Sequence, residues 1–86
     1  MNALKKDGWM VSRSAASHGA VDVFAAKGGR ILLVQVKSGR ARATKEELVE
    51  LAEWGKSSNG DAEVWYYKGR TRLVKRRVYA AKRGSS

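Results

Sequence analysis

The chain has 86 residues, of which 43% are hydrophobic and 30% are charged, so it can form one small globular domain with a thin core. Eighteen lysines and arginines against eight acidic residues leave a formal net charge of +10, which favours a polyanionic partner over cationic small-molecule substrates. Cysteine is absent and His18 is the single histidine, so disulfides and thiolate or imidazole metal clusters are excluded, and any metal must have oxygen ligands.

The N-terminal region contains no apolar stretch of signal-peptide length, and we therefore expect a cytoplasmic protein. Residues 1–6 are typical of the last turns of a helix that ends at Asp7-Gly8, and this helix looks truncated at its start. Residues 9–14 alternate as a strand does, and residues 15–19 are predicted to form a loop.

A β-hairpin is predicted next. Residues 20–26 are apolar except for Asp22, and residues 31–37 are equally rich in apolar side chains. The turn sequence Lys27-Gly28-Gly29-Arg30 separates them. The pattern therefore predicts two neighbouring, largely buried strands.

The second half of the chain begins with a capping box, in which Thr44 caps a helix and Glu47 reciprocates. The helix is amphipathic and is predicted to run to about residue 56. Residues 62–67 have the aromatic and β-branched content of a strand, whereas residues 71–81 fit either a strand or a helix. The order of elements predicts a single α/β domain over residues 1–86.

The positive charge is concentrated in a basic C-terminal segment, residues 68–86, which contains eight lysines and arginines and no acid. Residues 1–67 contain ten basic and eight acidic residues. Such a run can be a solvated surface, but like charges at this density favour a polyphosphate partner. We predict that Lys68, Arg70 and Arg72 bind DNA, together with Arg40 and Arg42 in the loop after the second hairpin strand.

Three polar residues interrupt the apolar hairpin strands: Asp22, Gln35 and Lys37. Gln35 and Lys37 are two positions apart and so share one face of their strand, and the strand that carries Asp22 is its direct neighbour. Carboxylate and amide oxygens suit Mg²⁺, and an ammonium group beside them can stabilise charge on a phosphate. The alternative is a cross-strand salt bridge with a hydrogen-bonding neighbour.

Residues 8–9, 13–17, Asp22 and 35–38 resemble, in this order, the corresponding segments of the archaeal-type Holliday junction resolvases. These enzymes belong to the restriction-endonuclease-like, PD-(D/E)XK, nuclease superfamily. The resemblance implies an α/β fold with a mixed central sheet flanked by helices. It also implies a metal-dependent, homodimeric endonuclease that cuts branched DNA such as four-way junctions.

The same resemblance implies roles for individual residues. Mg²⁺ or Mn²⁺ would be bound by Asp22, Gln35 and the carbonyl oxygen of Val36. Lys37 would be the catalytic lysine. Two further residues match positions that act near the scissile phosphate, Arg13 and Ser17. His18, in the loop before Asp22, is a candidate phosphate contact, although a lone loop histidine is more often a plain surface residue.

The sequence departs from the family pattern in ways that leave alternatives open. Val21 replaces a common proline, and Gln35 replaces the acid of the second motif, which should weaken metal affinity. Resolvases of this type also have a metal-binding glutamate in the N-terminal helix, and this sequence begins too late to contain it. The acid could come from Glu47 or Glu50, the start could be truncated, or cleavage could be lost.

Alternatives of another kind remain for the same residues. The acids of the predicted helix, Glu46, Glu47, Glu50 and Glu53, fit a solvated face with a helix cap. The aromatic residues fit core or dimer contacts better than base stacking. The whole chain could be a non-catalytic DNA-binding protein that retains the nuclease fold, or an RNA-binding module, although it lacks an aromatic RNA-binding signature.

Overall fold

The computed structural model describes residues 2–13 and 20–82. Within these ranges the elements are α1 (Asn2–Lys6), β1 (Met10–Arg13), β2 (Val23–Lys27), β3 (Arg30–Ser38), α2 (Lys45–Ser58), β4 (Asp61–Lys68) and β5 (Arg72–Tyr79). The strands form one sheet in the order β1-β2-β3-β4-β5. Strands β3 and β4 are parallel, and the other neighbours are antiparallel. The mixed α/β architecture predicted from the sequence is confirmed.

The β2–β3 hairpin depends on two consecutive glycines. Gly28 and Gly29 have φ angles of 54° and 80°, in the left-handed region that favours glycine, and they join Lys27 to its partner Arg30. The ladder runs to Val23 opposite Val34, so β2 begins three residues later than predicted. The ladder ends at this point because the Asp22 side chain, and not a backbone carbonyl of β2, accepts the hydrogen bond from the Val36 N–H of β3.

Helix α2 connects the two parallel strands and begins with the predicted capping box. The Thr44 hydroxyl accepts a hydrogen bond from the Glu47 N–H, and the Glu47 carboxylate accepts one from the Thr44 N–H. The helix continues two residues beyond the predicted end, to Ser58, and the left-handed residue Asn59 ends it. Gly55 lets α2 approach the sheet closely, because a Cβ atom there would lie 2.9 Å from the Tyr79 ring.

The basic segment after residue 71 forms a strand, which decides between the two predicted alternatives. Residues 72–79 pair with the outer edge of β4, with Tyr66 opposite Val74 and Trp65 opposite Lys75. Pairing with β4 satisfies backbone groups that a helix at this position would leave at an open sheet edge.

Side chains alternate between two faces of the sheet, which we call the α1 face and the α2 face. The buried residues of the α1 face are Leu4, Val23, Ala25, Leu32, Val34 and Trp65. Those of the α2 face are Ala20, Val21, Leu33, Leu51, Ala62 and Val64. Because Leu33 lies on the α2 face, the period of two places Gln35 and Lys37 there as well.

The aromatic residues divide between core and surface. Trp65 is buried, and Trp9, Tyr66 and Tyr67 are partly buried against the two hydrophobic clusters. Trp54 is 45% exposed and meets the Phe24 ring edge-on, with ring centroids 5.9 Å apart. Neither α1 nor α2, the helices of the described ranges, has the length and apolar character needed to cross a membrane.

Candidate active site

Asp22 lies immediately before β2, one step beyond the last ladder pair and opposite Gln35 of β3. Its backbone N–H donates to the Val34 carbonyl at 2.9 Å, and its carboxylate Oδ2 accepts from the Val36 N–H at 2.8 Å. The carboxylate is half-buried. Two hydrogen bonds to β3 thus hold Asp22 beside the part of the strand that carries Gln35 and Lys37.

Gln35 is almost fully buried, with 2% of its surface exposed. Its amide Nε2 donates to the Glu47 carboxylate at 3.2 Å. Its carbonyl oxygen Oε1 is buried without a hydrogen-bond partner among the described residues. Burying an unsatisfied polar atom costs about 1–3 kcal/mol, so this oxygen is a candidate ligand for a cation.

Lys37 and Glu47 form an ion pair, with 3.0 Å between Lys37 Nζ and Glu47 Oε2. The other oxygen of Glu47, Oε1, accepts from the Thr44 N–H at 2.8 Å. The hydrogen bond from the Thr44 backbone, followed by that from Lys37, lowers the pKa of Glu47 below its usual value. Glu47 is therefore an ionised carboxylate held beside Gln35 and Lys37.

The acids of α2 differ in their surroundings. Glu46 and Glu53 are exposed, as expected for a solvated face. Glu50 accepts a hydrogen bond from the Ala20 N–H at 3.2 Å, and Glu47 contacts Gln35 and Lys37. Glu50 is nevertheless exposed, as a solvated face predicts. Glu47 makes the predicted cap but is partly buried and also contacts Gln35 and Lys37, so for Glu47 the interpretation as a solvated face with a cap is incomplete.

Together these groups can bind a cation and a phosphate. Oxygen atoms of Asp22, Gln35 and Glu47 have the hard-ligand chemistry that divalent cations such as Mg²⁺ prefer. In the described ranges, no group of three or more histidine, cysteine, aspartate or glutamate side chains could hold a metal ion. Val36 contributes its N–H to the bond with Asp22, and coordination by its carbonyl stays a prediction.

A basic groove of about 540 Å³ adjoins these residues. It is lined by Gly39, Arg40, Ala41, Arg42, Tyr66, Lys68, Val74 and Arg76. Tyr66 is the β4 partner of Lys37, so one end of the groove begins next to the candidate catalytic lysine. Four cationic side chains along a groove of this size match the negative charge of a nucleic-acid backbone.

The structure brings some of the predicted DNA-binding residues together and not others. Arg40, Arg42 and Lys68 line the basic groove, whereas Arg70 and Arg72 are exposed and lie outside its lining. Sequence reasoning missed Arg76. Its alternation with Val74 would have indicated a shared face, had residues 71–81 been assigned to a strand.

Three further predicted residues are not brought to the site by the described structure. Arg13 is exposed at the end of β1 and lies opposite Val23, so strand alternation places it on the α1 face, away from Gln35 and Lys37. Ser17 and His18 lie outside the described residues. The roles of all three stay predictions.

A mixed sheet that carries an aspartate before one central strand, and a glutamine and a lysine two residues apart on the next, is the arrangement expected from the resemblance to the restriction-endonuclease-like nuclease superfamily. The family model of the archaeal Holliday junction resolvases (hjc) matches residues 1–82. The chain belongs to this family, whose members are structure-selective DNA endonucleases acting in recombination and repair. The resemblance inferred from the sequence is thereby confirmed, and the non-catalytic alternative is not favoured.

Comparison with solved structures agrees with the fold. The chain is similar to Archaeoglobus fulgidus Hjc, a Holliday junction resolvase from an archaeal hyperthermophile, with a TM-score of 0.75 and 21% sequence identity. The match covers 90% of this chain and 71% of the Archaeoglobus chain. No curated protein sequence matches the chain significantly.

Proposed function

We propose that this protein hydrolyses phosphodiester bonds at four-way DNA junctions in the presence of Mg²⁺ or Mn²⁺. One observation carries the proposal. Asp22, Gln35 and Lys37 converge at one end of the β2–β3 hairpin, and the buried Gln35 Oε1 has no hydrogen-bond partner in the described part of the chain. A purely structural salt bridge would not need an unsatisfied buried carbonyl at its centre.

The residues present fit a divalent metal ion. Asp22 and Gln35 would hold it through carboxylate and amide oxygens, with the Val36 carbonyl as a further ligand. When bound, the ion supplies Lewis-acid stabilisation of the phosphate and lowers the pKa of a coordinated water. Lys37 donates hydrogen bonds to the negatively charged oxygens of the scissile phosphate, where charge increases in the transition state.

The basic groove leads the DNA backbone to this site. Arg40, Arg42, Lys68 and Arg76 contact phosphates and so orient a strand without reading its bases. Arg70 and Arg72, at the adjoining turn and strand start, extend this surface. Ser17 and His18 are further proposed contacts near the scissile phosphate, whereas Arg13, on the α1 face, is a proposed DNA contact farther from it.

The active form is a homodimer in this proposal. A four-way junction is resolved by cuts in two strands, and each copy of the chain provides one candidate site for one cut. The chain is also small, and pairing of two copies would bury more apolar surface than one copy can.

The test is incubation of the purified protein with a labelled four-way junction and a matched linear duplex, in Mg²⁺, Mn²⁺ or EDTA. We expect paired cuts in the junction that depend on the metal and disappear in the Lys37→Ala variant. Junction binding without cleavage in either metal would overturn the proposed hydrolysis. Equal cleavage of the linear duplex would overturn the preference for junctions.

A further inference from the structure

The charge of the proposed metal site is incomplete without a further acid. Asp22 contributes one negative charge and Lys37 one positive charge, while Gln35 is neutral. These three side chains have a formal sum of zero, and a neutral set attracts a divalent cation weakly. An additional carboxylate next to Gln35 would restore the net negative charge that the glutamine removes.

Glu47 occupies that position. Its Oε2 atom lies 3.2 Å from Gln35 Nε2 and 3.0 Å from Lys37 Nζ, so Gln35 and Lys37 both donate to one carboxylate oxygen. No other acid of α2 makes these contacts. Glu50 is hydrogen-bonded to the Ala20 N–H, and Glu46 and Glu53 are exposed.

The capping box orients this carboxylate in advance. Glu47 Oε1 is held at 2.8 Å by the Thr44 N–H, while the Glu47 N–H donates to the Thr44 hydroxyl at 3.1 Å. With one oxygen used for the helix cap, the other is directed to Gln35 and Lys37. A carboxylate fixed in this way loses little conformational entropy when it binds a cation.

We infer that Glu47 supplies the metal-binding carboxylate that Gln35 lacks, so that a hard divalent cation is held by Asp22, the Gln35 amide oxygen and Glu47. This inference rests on the proposed function, since it concerns the same site. It assigns Glu47 a functional contact in addition to its part in the helix cap. The formal charge of the four side chains then becomes −1.

The test measures Mn²⁺ binding to the full chain by isothermal titration calorimetry, which does not require cleavage. Glu47→Gln keeps the cap, because glutamine also serves in a capping box. We expect this variant to bind Mn²⁺ at least about 10-fold more weakly, because removal of a residue that only orients the metal ligands already costs about 10- to 100-fold. Glu46→Gln, with the same charge change in the same helical turn, is the matched control and should bind as the wild type does.

A second variant exchanges Gln35 and Glu47, so that the inference is tested by a gain of Mn²⁺ affinity and not only by a loss. In Gln35→Glu/Glu47→Gln, the acid moves to β3 and the amide to α2, so the charge of the site is retained. We expect this double variant to regain Mn²⁺ affinity relative to Glu47→Gln. Circular dichroism of each variant verifies that it is folded.

The outcomes separate this inference from the proposal on which it rests. If Asp22→Asn loses Mn²⁺ affinity while Glu47→Gln binds like the Glu46→Gln control, the metal site stands and Glu47 is not part of it. Failure of the double variant to regain affinity would also overturn the inference. If the wild-type protein shows no saturable Mn²⁺ binding, the inference and the proposed metal site both fail.

Discussion

Two clusters of polar side chains lie on opposite faces of the same sheet. They differ in whether every buried donor and acceptor atom has a hydrogen-bond partner. The motif cluster, on the α2 face, consists of Asp22, Gln35, Lys37 and Glu47. The Glu63 cluster, on the α1 face, consists of Glu63, Trp65 and Arg77.

In the Glu63 cluster, both carboxylate oxygens have hydrogen-bond partners. Glu63 is only 8% exposed, and its carboxylate accepts from Trp65 Nε1 at 2.8 Å and from Arg77 Nε and Nη2 at 3.1 and 2.7 Å. The hydrogen bonds to Glu63 raise the pKa of the already basic Arg77 guanidinium. Lys75 lies over the Trp65 ring, 4.4 Å from its centroid. Each charge in this cluster has an opposite charge or an aromatic face beside it.

In the motif cluster, by contrast, one buried acceptor is left over: Gln35 Oε1 has no hydrogen-bond partner among the described residues. In a protein with so thin a core, an unsatisfied buried carbonyl costs free energy of folding. The comparison teaches that a buried carboxylate with all its hydrogen bonds made, such as that of Glu63, is a structural contact, whereas a buried carbonyl without a partner, such as that of Gln35, marks a candidate binding site.

The largest expected effect is on the rate of junction cleavage, and it follows from removing the ammonium group of Lys37 in the motif cluster. Lys37→Ala should slow junction cleavage by about 10²-fold or more, because a group that stabilises transition-state charge is removed. Junction affinity, measured by gel shift, should change little. Lys45→Ala, at the exposed start of α2, is the control. Cleavage retained in Lys37→Ala would place the catalytic cation elsewhere.

The next largest effect is a loss of folding stability, and it is expected from a substitution in the Glu63 cluster on the α1 face. Glu63→Ala leaves the buried Trp65 N–H without its acceptor, and we expect the free energy of unfolding to fall by about 1–3 kcal/mol. Urea denaturation measures this loss. Glu53→Ala, an exposed acid of α2, serves as the reference and should lie within about 0.5 kcal/mol of the wild type. An equal effect of the two substitutions would show that the Glu63 cluster is not a structural contact.

The converse substitution in the motif cluster should separate stability from function. Gln35→Met keeps side-chain volume and removes the unsatisfied carbonyl, so stability should stay unchanged or rise by up to about 1 kcal/mol. The same variant should lose Mn²⁺ affinity. A clear decrease in stability by urea denaturation would mean that the Gln35 amide stabilises the fold, as we expect of the Glu63 carboxylate.

A smaller effect is expected in the basic groove that adjoins the motif cluster. Arg76→Gln should weaken junction binding modestly and reduce the slope of log affinity against log salt by about 1, as expected for one lost phosphate contact. Lys56→Gln, in the last turn of α2, removes an exposed charge outside the groove lining. Equal slopes for the two variants would exclude Arg76 from the DNA path.

The smallest expected effect is a pH dependence of the motif cluster, measured in EDTA. The Thr44 N–H and Lys37 hold the pKa of Glu47 below its ordinary value of 4.5. The folded state therefore favours the ionised form, and the resulting stabilisation is present above pH 4.5 and is lost as the pH falls through the lowered pKa. The difference in unfolding free energy between wild type and Glu47→Gln should shrink below pH 4.5. A constant difference would show that the hydrogen bonds from the Thr44 N–H and Lys37 to the ionised Glu47 carboxylate add nothing to stability.

Local rules were sufficient for much of the fold. Two glycines with positive φ specify the hairpin turn, and the Thr44/Glu47 capping box specifies where α2 begins. These signals act within a few residues, so the sequence reveals them directly. The strand period of two likewise places Gln35 and Lys37 on one face, and the structure confirms that arrangement.

Other features required the tertiary structure. Residues 71–81 fit two conformations until the open edge of β4 selected the strand. The choice between Glu47 and Glu50 depended on how α2 lies across β3, and the inclusion of Arg76 in the groove depended on the register of β5. Arg13 matches a family position that acts near the scissile phosphate, and only the pairing of β1 with β2 showed that it lies on the α1 face.

The sequence by itself determined that a carboxylate, an amide and an ammonium group lie close together at the end of a hairpin, because turn chemistry and side-chain alternation are short-range properties. Only the tertiary structure decided which helix residue contacts Gln35 and Lys37 and which cations form the groove beside them. Those contacts join segments ten or more residues apart, and packing of apolar faces, not local sequence, sets their geometry.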